Sequence, residues 1–190
     1  MKKVNKQIFK ILIYFIPFFI AITFISGLIY STGQQILRIG ANDPQIQISE
    51  DYVQRLSDGV DPKLLQSGQK TDISKSLATY VIIYDVKGNT IYSSAELNGQ
   101  IPILPKSIFN YVEKNNETRI TWQPQHNVRS AIVVTKYTGA NPGFVLVGRS
   151  LREVEIREDN LLKITAVGWL ITEIVTFLTL FISLKMSSKI

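Results

Sequence analysis

Residues 150–184 read SLREVEIREDNLLKITAVGWLITEIVTFLTLFISL, and this stretch decides the fold. Its first part is rich in charge, whereas Ile164 to Leu184 carries a single charged residue, Glu173. A helix rising 1.5 Å per residue needs ~20 apolar residues to cross a ~30 Å hydrocarbon core. Residues 164–184 meet that length. Apart from Gly168, neither Gly nor Pro interrupts the stretch, and Ser150-Leu-Arg-Glu153 has the form of a capping box. The expectation is one continuous helix of 35 residues, Ser150 to Leu184, that leaves a folded region and enters a membrane.

The other end of the chain matches it. Ile11 to Leu37 has no charged residue, and Ile11 to Tyr30 is almost wholly apolar, so a first span is expected there. Pro17 removes a backbone hydrogen bond inside it. Thr23, Gly27 and Ser31 recur at four-residue spacing as a small-residue face. A cleaved signal peptide is the rival reading of this segment. Against it, the apolar run is longer than an h-region of ~7–15 residues, and no A-x-A-like site follows.

Charge places the two ends on one side. The formal net charge is +6. Lys2, Lys3, Lys6 and Lys10 precede the first span and Lys185 and Lys189 follow the second, and these six account for the whole excess. Basic flanks on both spans are the positive-inside pattern. The expected organisation is a cytoplasmic basic tail at 1–10, a first span at 11–30, an extracytoplasmic domain at 31–163, a second span at 164–184 and a cytoplasmic tail at 185–190. Because the excess sits only in the flanks, a nucleic-acid partner is not expected, and the expected surroundings are membrane lipid. The chain has no cysteine, which excludes disulfides and thiolate chemistry.

The middle reads as α+β. Asn42-Asp-Pro-Gln45 fits a helix start, with Pro near the first turn and Gln reaching back. Ile46, Val53 and Leu56 form its stripe and Gly59 its stop. Asp61-Pro62 opens a short helical turn that Gly68 closes. Ala78 to Asp85 is rich in β-branched and aromatic residues and reads as a buried strand. Val86 to Asn89 turns the chain into a returning strand, Thr90 to Ser93. Ser107 to Lys114 is a short helix. Three strands follow, Thr118 to Trp122, Val128 to Tyr137 and Phe144 to Gly148.

Chemistry is sparse. No P-loop, nucleophile elbow or zincin motif occurs, so no enzyme activity, catalytic residue or cofactor is expected. His126 is the sole histidine, and no metal site is expected from it. A ligand site is expected at Trp122, His126, Arg129 and Tyr137, which fall in one hairpin; Trp and Arg suit a planar or anionic group. The other reading is that Trp122 and Tyr137 are core or edge residues and Arg129 a surface ion-pair partner. Glu173 is the sharper feature. A carboxylate at mid-membrane is costly, so it is expected to face protein, with Gly168, Thr172 and Thr176 on the contact face beside it. A tolerated acid and a proton pathway are the other two readings.

The order helix, tight hairpin, helix, three strands and membrane-entering helix resembles the extracytoplasmic PAS-like or Cache-type sensor domains of bacterial histidine kinases and chemoreceptors. Tyr84 to Ser94 is similar to their first hairpin, and Gly143 to Glu155 to their last strand running into the exit helix. Asn42 to Gln47, Arg119 to Pro124 and Gly143 to Glu155 also resemble segments of a group of bacterial membrane sensor proteins. The resemblance implies an antiparallel sheet with flanking helices between two transmembrane helices. It also implies a sensor that binds a small ligand or protein outside and relays a change through the second span. One departure stands out. Sensor kinases continue into a phosphoacceptor histidine and an ATP-binding domain, whereas six residues follow Leu184 here. The expected output is therefore through a separate signalling protein, met as a hetero-partner or by a homodimer. The alternatives are a non-sensing accessory or dimerisation subunit, or a truncated sensor relic.

Overall fold

The computed structural model describes residues 2–65 and 70–187, with side chains from residue 9 onward. The Gly68 stop and the Lys189 end of the tail lie outside the described residues. Four helices and seven strands follow in the order α1 (Lys2–Gly40), α2 (Asp43–Ser57), a 3-10 turn (Pro62–Leu65), β1 (Thr71–Asp72), β2 (Tyr80–Asp85), β3 (Thr90–Ser93), β4 (Ala95–Glu96), α3 (Lys106–Asn115), β5 (Glu117–Gln125), β6 (Val128–Tyr137), β7 (Gly143–Ser150) and α4 (Arg152–Ser187). The chain divides into two compact units. One is Arg38–Glu155; the other joins the two long helices, α1 up to Leu37 and α4 from Ile156. Residues 31–37 and 156–163 therefore cluster with the long helices and not with the sheet.

The sheet unit is α+β. Its five strands are antiparallel throughout, in the order β3-β2-β7-β6-β5. The three inner strands are buried on both faces, which is why β2 and β7 read as apolar runs and not as alternating ones. One face carries Tyr80, Ile82, Tyr84, Ile132, Val134, Phe144 and Leu146, and α3 covers it through Phe109 and Val112. Tyr84, Phe109 and Phe144 make a chain of rings with centroids 4.9 and 5.2 Å apart. The opposite face carries Val81, Ile83, Tyr137, Val145 and Val147, and Leu56, Tyr52 and Val53 of α2 close it. β1 and β4 form a separate two-residue parallel pair.

Local chemistry explains the element ends. After α2, Gly59 takes φ +90, with its N–H bonded to the Leu56 carbonyl and the Val60 N–H to the Arg55 carbonyl. These are the two bonds of a Schellman stop. At its start, Asn42 makes no side-chain cap. Gln45 does not reach back as the sequence suggested; it is fully buried and donates from Nε2 to the Ala131 carbonyl of β6 at 3.4 Å. Ser150 also departs from expectation. It is still in the sheet, opposite Ser130, and the helix begins at Arg152. Its hydroxyl accepts the Arg152 N–H at 3.3 Å, and the first helical bond runs from the Glu155 N–H to the Leu151 carbonyl. Ser150 is thus a turn residue between strand and helix, and no capping box forms.

The β2–β3 turn yields a pH prediction. Asp85 accepts the N–H groups of Lys87 and Asn89 and the Asn89 side-chain amide, each at 2.8 Å. Partial desolvation raises its pKa, but the Asn89 and Lys87 bonds outweigh that and hold the carboxyl below the usual range. A depressed folded pKa contributes stability above the unfolded value, and this is lost as pH falls through the folded value. Protection of the Lys87 and Asn89 amides from hydrogen exchange should fall below about pH 4. Asp85→Ala should remove that dependence, and a dependence unchanged in the variant would overturn the assignment.

In the helical unit, α1 and α4 are each long and apolar enough to cross a membrane. Both display large apolar side chains almost all round, Phe24, Leu28, Leu170 and Ile174 among them. A helix apolar on every side requires either a protein core or lipid around it. The two helices are antiparallel and meet along a narrow seam. Phe15 packs edge-on against Phe177 at 5.5 Å and Phe19 against Trp169 at 6.0 Å. Trp169 Nε1 donates to Thr23 Oγ1 at 2.9 Å.

Candidate functional site

The structure separates the four residues of the expected ligand site. Trp122 lies opposite Ser130 on the α3 face, is 6 % exposed, and belongs to the core there. Tyr137 is 2 % exposed on the other face, packed with α2 residues. Burial, and after it the charge of Asp85, raise its hydroxyl pKa, and that hydroxyl lies 3.5 Å from the Tyr84 carbonyl. Arg129 is exposed and pairs with Glu155 in the first turn of α4. His126 is exposed in the β5–β6 turn. Odd and even positions of a strand point to opposite faces, so Trp122 and Arg129 do not converge on one ligand. Trp122 and Tyr137 are core residues and Arg129 is an ion-pair partner, the second of the two readings the sequence left open.

A different polar group emerges inside the α3 layer. The hydroxyls of Tyr80, Tyr84 and Ser130 are buried and lack hydrogen-bond partners among the described residues. All three belong to the same sheet face. Burial pushes the two phenols well above their ordinary range; Ser130 beside Tyr80 opposes the shift, although the two oxygens do not meet in a bond of normal geometry. Both phenols are therefore neutral and able to donate. Leaving such a group unpaired costs ~1–3 kcal/mol. Ser130 lies beside Tyr80, whereas Tyr84 stands four residues along β2, about 13 Å at the rise of a strand. The sequence hid this set because Tyr80 and Tyr84 read as ordinary strand aromatics.

The start of α4 is held by backbone and charge. The Leu151 N–H bonds the Arg129 carbonyl at 2.9 Å, and the Arg129 side chain pairs with Glu155. Arg152 reaches the Lys75 carbonyl at 3.1 Å and Arg149 the Leu77 carbonyl at 3.2 Å. The start of α4 is thus tied to both β6 and the loop before β2.

Within the helical unit, Glu173 is 6 % exposed, and both carboxyl oxygens lack a hydrogen-bond partner among the described residues. One turn before it Trp169 faces Phe19, and one turn after it Phe177 faces Phe15, so Glu173 lies in the α1–α4 seam. Thr176 is half-buried along the same side. Gly168 and Thr172 differ from expectation. Both are exposed, a Cβ on Gly168 would meet nothing within 4 Å, and the Thr172 hydroxyl donates to the Gly168 carbonyl at 2.8 Å. The 3.6-residue turn puts positions 168 and 172 beside the seam, not in it.

No protein-family model matches the chain. Comparison with curated proteins likewise finds no match.

Proposed function

We propose that this chain is a membrane-anchored sensor of the PAS/Cache-like kind. Its sheet unit would lie outside the membrane, and α4 would carry changes in that unit inward to a separate signalling protein. The observation that carries this reading is the path of α4. Its start is hydrogen-bonded to β6 through Leu151, and it runs without a break to Ser187 through the second apolar stretch. A helix tied at one end to a sheet can move with that sheet as a rotation or a piston shift. The unpartnered hydroxyls of Tyr80 and Ser130 support binding of a small polar ligand within the sheet unit. The basic flanks support termini on the cytoplasmic side.

A second reading, a non-sensing accessory or dimerisation subunit, is favoured by the separation of Trp122 from Arg129 on the two faces of the sheet. The two readings predict different behaviour. A sensor should change the motion of α4 on binding a small molecule; an accessory subunit should respond only to its protein partner.

Topology is the first test. A reporter active only outside the cytoplasm should work when fused at position 100 and fail when fused after Ile190. The reverse pattern would sink the proposal. The chain lacks cysteine, so single cysteines placed along α4 can be read without background. A small-molecule screen on the intact chain in lipid nanodiscs, read by spin-label mobility at Val154→Cys, then separates the sensor from the subunit.

A further inference from the structure

We propose that Glu173 is the docking point for a transmembrane helix of a different protein, one that carries a lysine or arginine at mid-membrane depth. The inference rests on the reading that α4 spans the membrane, and it adds the chemistry of the partner. The starting point is an unsatisfied group. Glu173 lies at the middle of the apolar stretch of α4, and neither carboxyl oxygen has a donor among the described residues. Intramembrane acids are costly and are ordinarily paired within a bundle.

Neither α1 nor α4 supplies that pair. The Trp169 indole, one turn before Glu173, donates its N–H to Thr23. Between Lys10 and Arg38, α1 has no charged residue, and between Lys163 and Lys185, α4 has only Glu173. A second copy could pair only carboxyl with carboxyl, which needs at least one of the two protonated. It would bring a second carboxyl to the same depth and no cation. A complementary charge at this depth must come from a helix other than α1 and α4.

The flank of α4 has room for it. Gly168, about 1.4 turns before Glu173, is exposed with open space where a side chain would stand, and Thr172 beside it is short. Small residues let a third helix approach closely. From there a long, flexible lysine or arginine stem can carry its head group to the edge of the seam. Glu173, turning a side-chain torsion toward it, would exchange an unpaired burial for a charge-assisted bond. Because α4 also begins at the sheet, such a helix would be placed to feel its movement.

The test uses the full chain in lipid vesicles, labelled at Met186→Cys with a fluorescent donor. The probes are acceptor-labelled synthetic leucine-rich spans with a single central lysine or, as the control, a central leucine. The lysine span should associate about tenfold more strongly than the leucine span. In Glu173→Leu that preference should fall to about twofold or less. Equal association of the two probes, or a preference retained in Glu173→Leu, would overturn the proposal. Protease protection of a C-terminal tag, measured in the same vesicles, reports spanning separately. A chain that fails to span overturns the topology and the docking together, whereas a chain that spans without the lysine preference overturns the docking alone.

Discussion

Trp122→Ala is expected to destabilise the sheet unit by ~3–5 kcal/mol, whereas Arg129→Ala should cost at most ~1 kcal/mol. The contrast follows from placement. The indole is 6 % exposed and belongs to the cluster formed by Ile132, Val134, Leu146 and Val112. Removing it leaves a cavity under α3 that the rigid sheet cannot close. Arg129 loses one surface pair with Glu155, whose side chains are 47 % and 41 % exposed. Water and salt screen a pair of that kind, and the long side chains pay entropy to hold it. Hydrogen exchange at the β6 and β7 amides of the detergent-solubilised chain would measure both variants. If Trp122→Ala shifted those amides by less than ~1 kcal/mol, the indole would not be a packing residue, and a ligand role would again be open to it. The comparison matters for function because loss of a response in Trp122→Ala would otherwise be mistaken for loss of binding. Variants at Tyr80 or Ser130, each reduced by one hydroxyl, probe the polar set with less damage to the core.

The elements were legible wherever a local signal suffices. β3 and β6 begin and end at the residues that the sequence marks, because a tight turn or an Asn or Gly bounds each of them. Asn127, at φ 61, closes the β5–β6 hairpin. Gly59 announced its helix stop for the same reason, since a left-handed residue there is nearly free for glycine. The alternation of β6 was legible, with Arg129 and Tyr137 on one face and Ser130, Ile132 and Val134 on the other, but what covers each face and where Trp122 of β5 falls were not. Residues 130–134 are all buried, since α2 covers one side and α3 the other. Hydrophobic alternation says which face meets water only when one face is wet. Chemistry-bearing residues within one hairpin therefore read as neighbours, although the pleat sends them apart. β1 and β4 were missed because two-residue strands have no periodicity to detect. Ser150 was misread because a serine that ends a strand and one that caps a helix have the same sequence context.

Glu173 shows the limit from the other side. Its depth in the apolar stretch was plain from the sequence, and so was its cost. Its direction depended on the register of α1 against α4, set by Phe15, Phe19 and Thr23 meeting Phe177 and Trp169. No pattern within α4 alone contains that register. The four-residue spacing of Gly168, Thr172 and Thr176 suggested one face. The helical drift of such a row carries its members across the edge of the seam, leaving Thr176 half-buried and Gly168 outside.

The two glycines of β7 should behave differently from each other, although both sit under a tyrosine. A Cβ at Gly143 would stand 2.1 Å from the Tyr84 carbonyl oxygen and 2.7 Å from the Tyr137 hydroxyl. At Gly148 the three atoms nearest to a Cβ all belong to the Tyr80 side chain, at 2.3–2.6 Å. Neither residue has the positive φ that would demand glycine for its backbone, so the argument is one of space. Gly143→Ala must push apart two strands that are hydrogen-bonded at that point, with Tyr84 paired to Phe144 and Asp85 to Gly143. We expect it to cost about 3 kcal/mol, the upper end of the range for overpacking. Tyr137→Phe should not rescue it, because the carbonyl clash remains. Gly148→Ala should cost a similar amount alone, since Tyr80 is 1 % exposed within a close-packed layer. Combined with Tyr80→Leu, however, most of its own cost should vanish, giving a coupling of ~1–3 kcal/mol in a double-mutant cycle. Equilibrium unfolding of the four variants and their parents would supply the cycle. Additive costs for Gly148→Ala and Tyr80→Leu would mean that the ring does not occupy the place above Gly148. In that event the Tyr80 hydroxyl would no longer be fixed beside Ser130, and the case for a polar guest in the α3 layer would rest on Tyr84 alone.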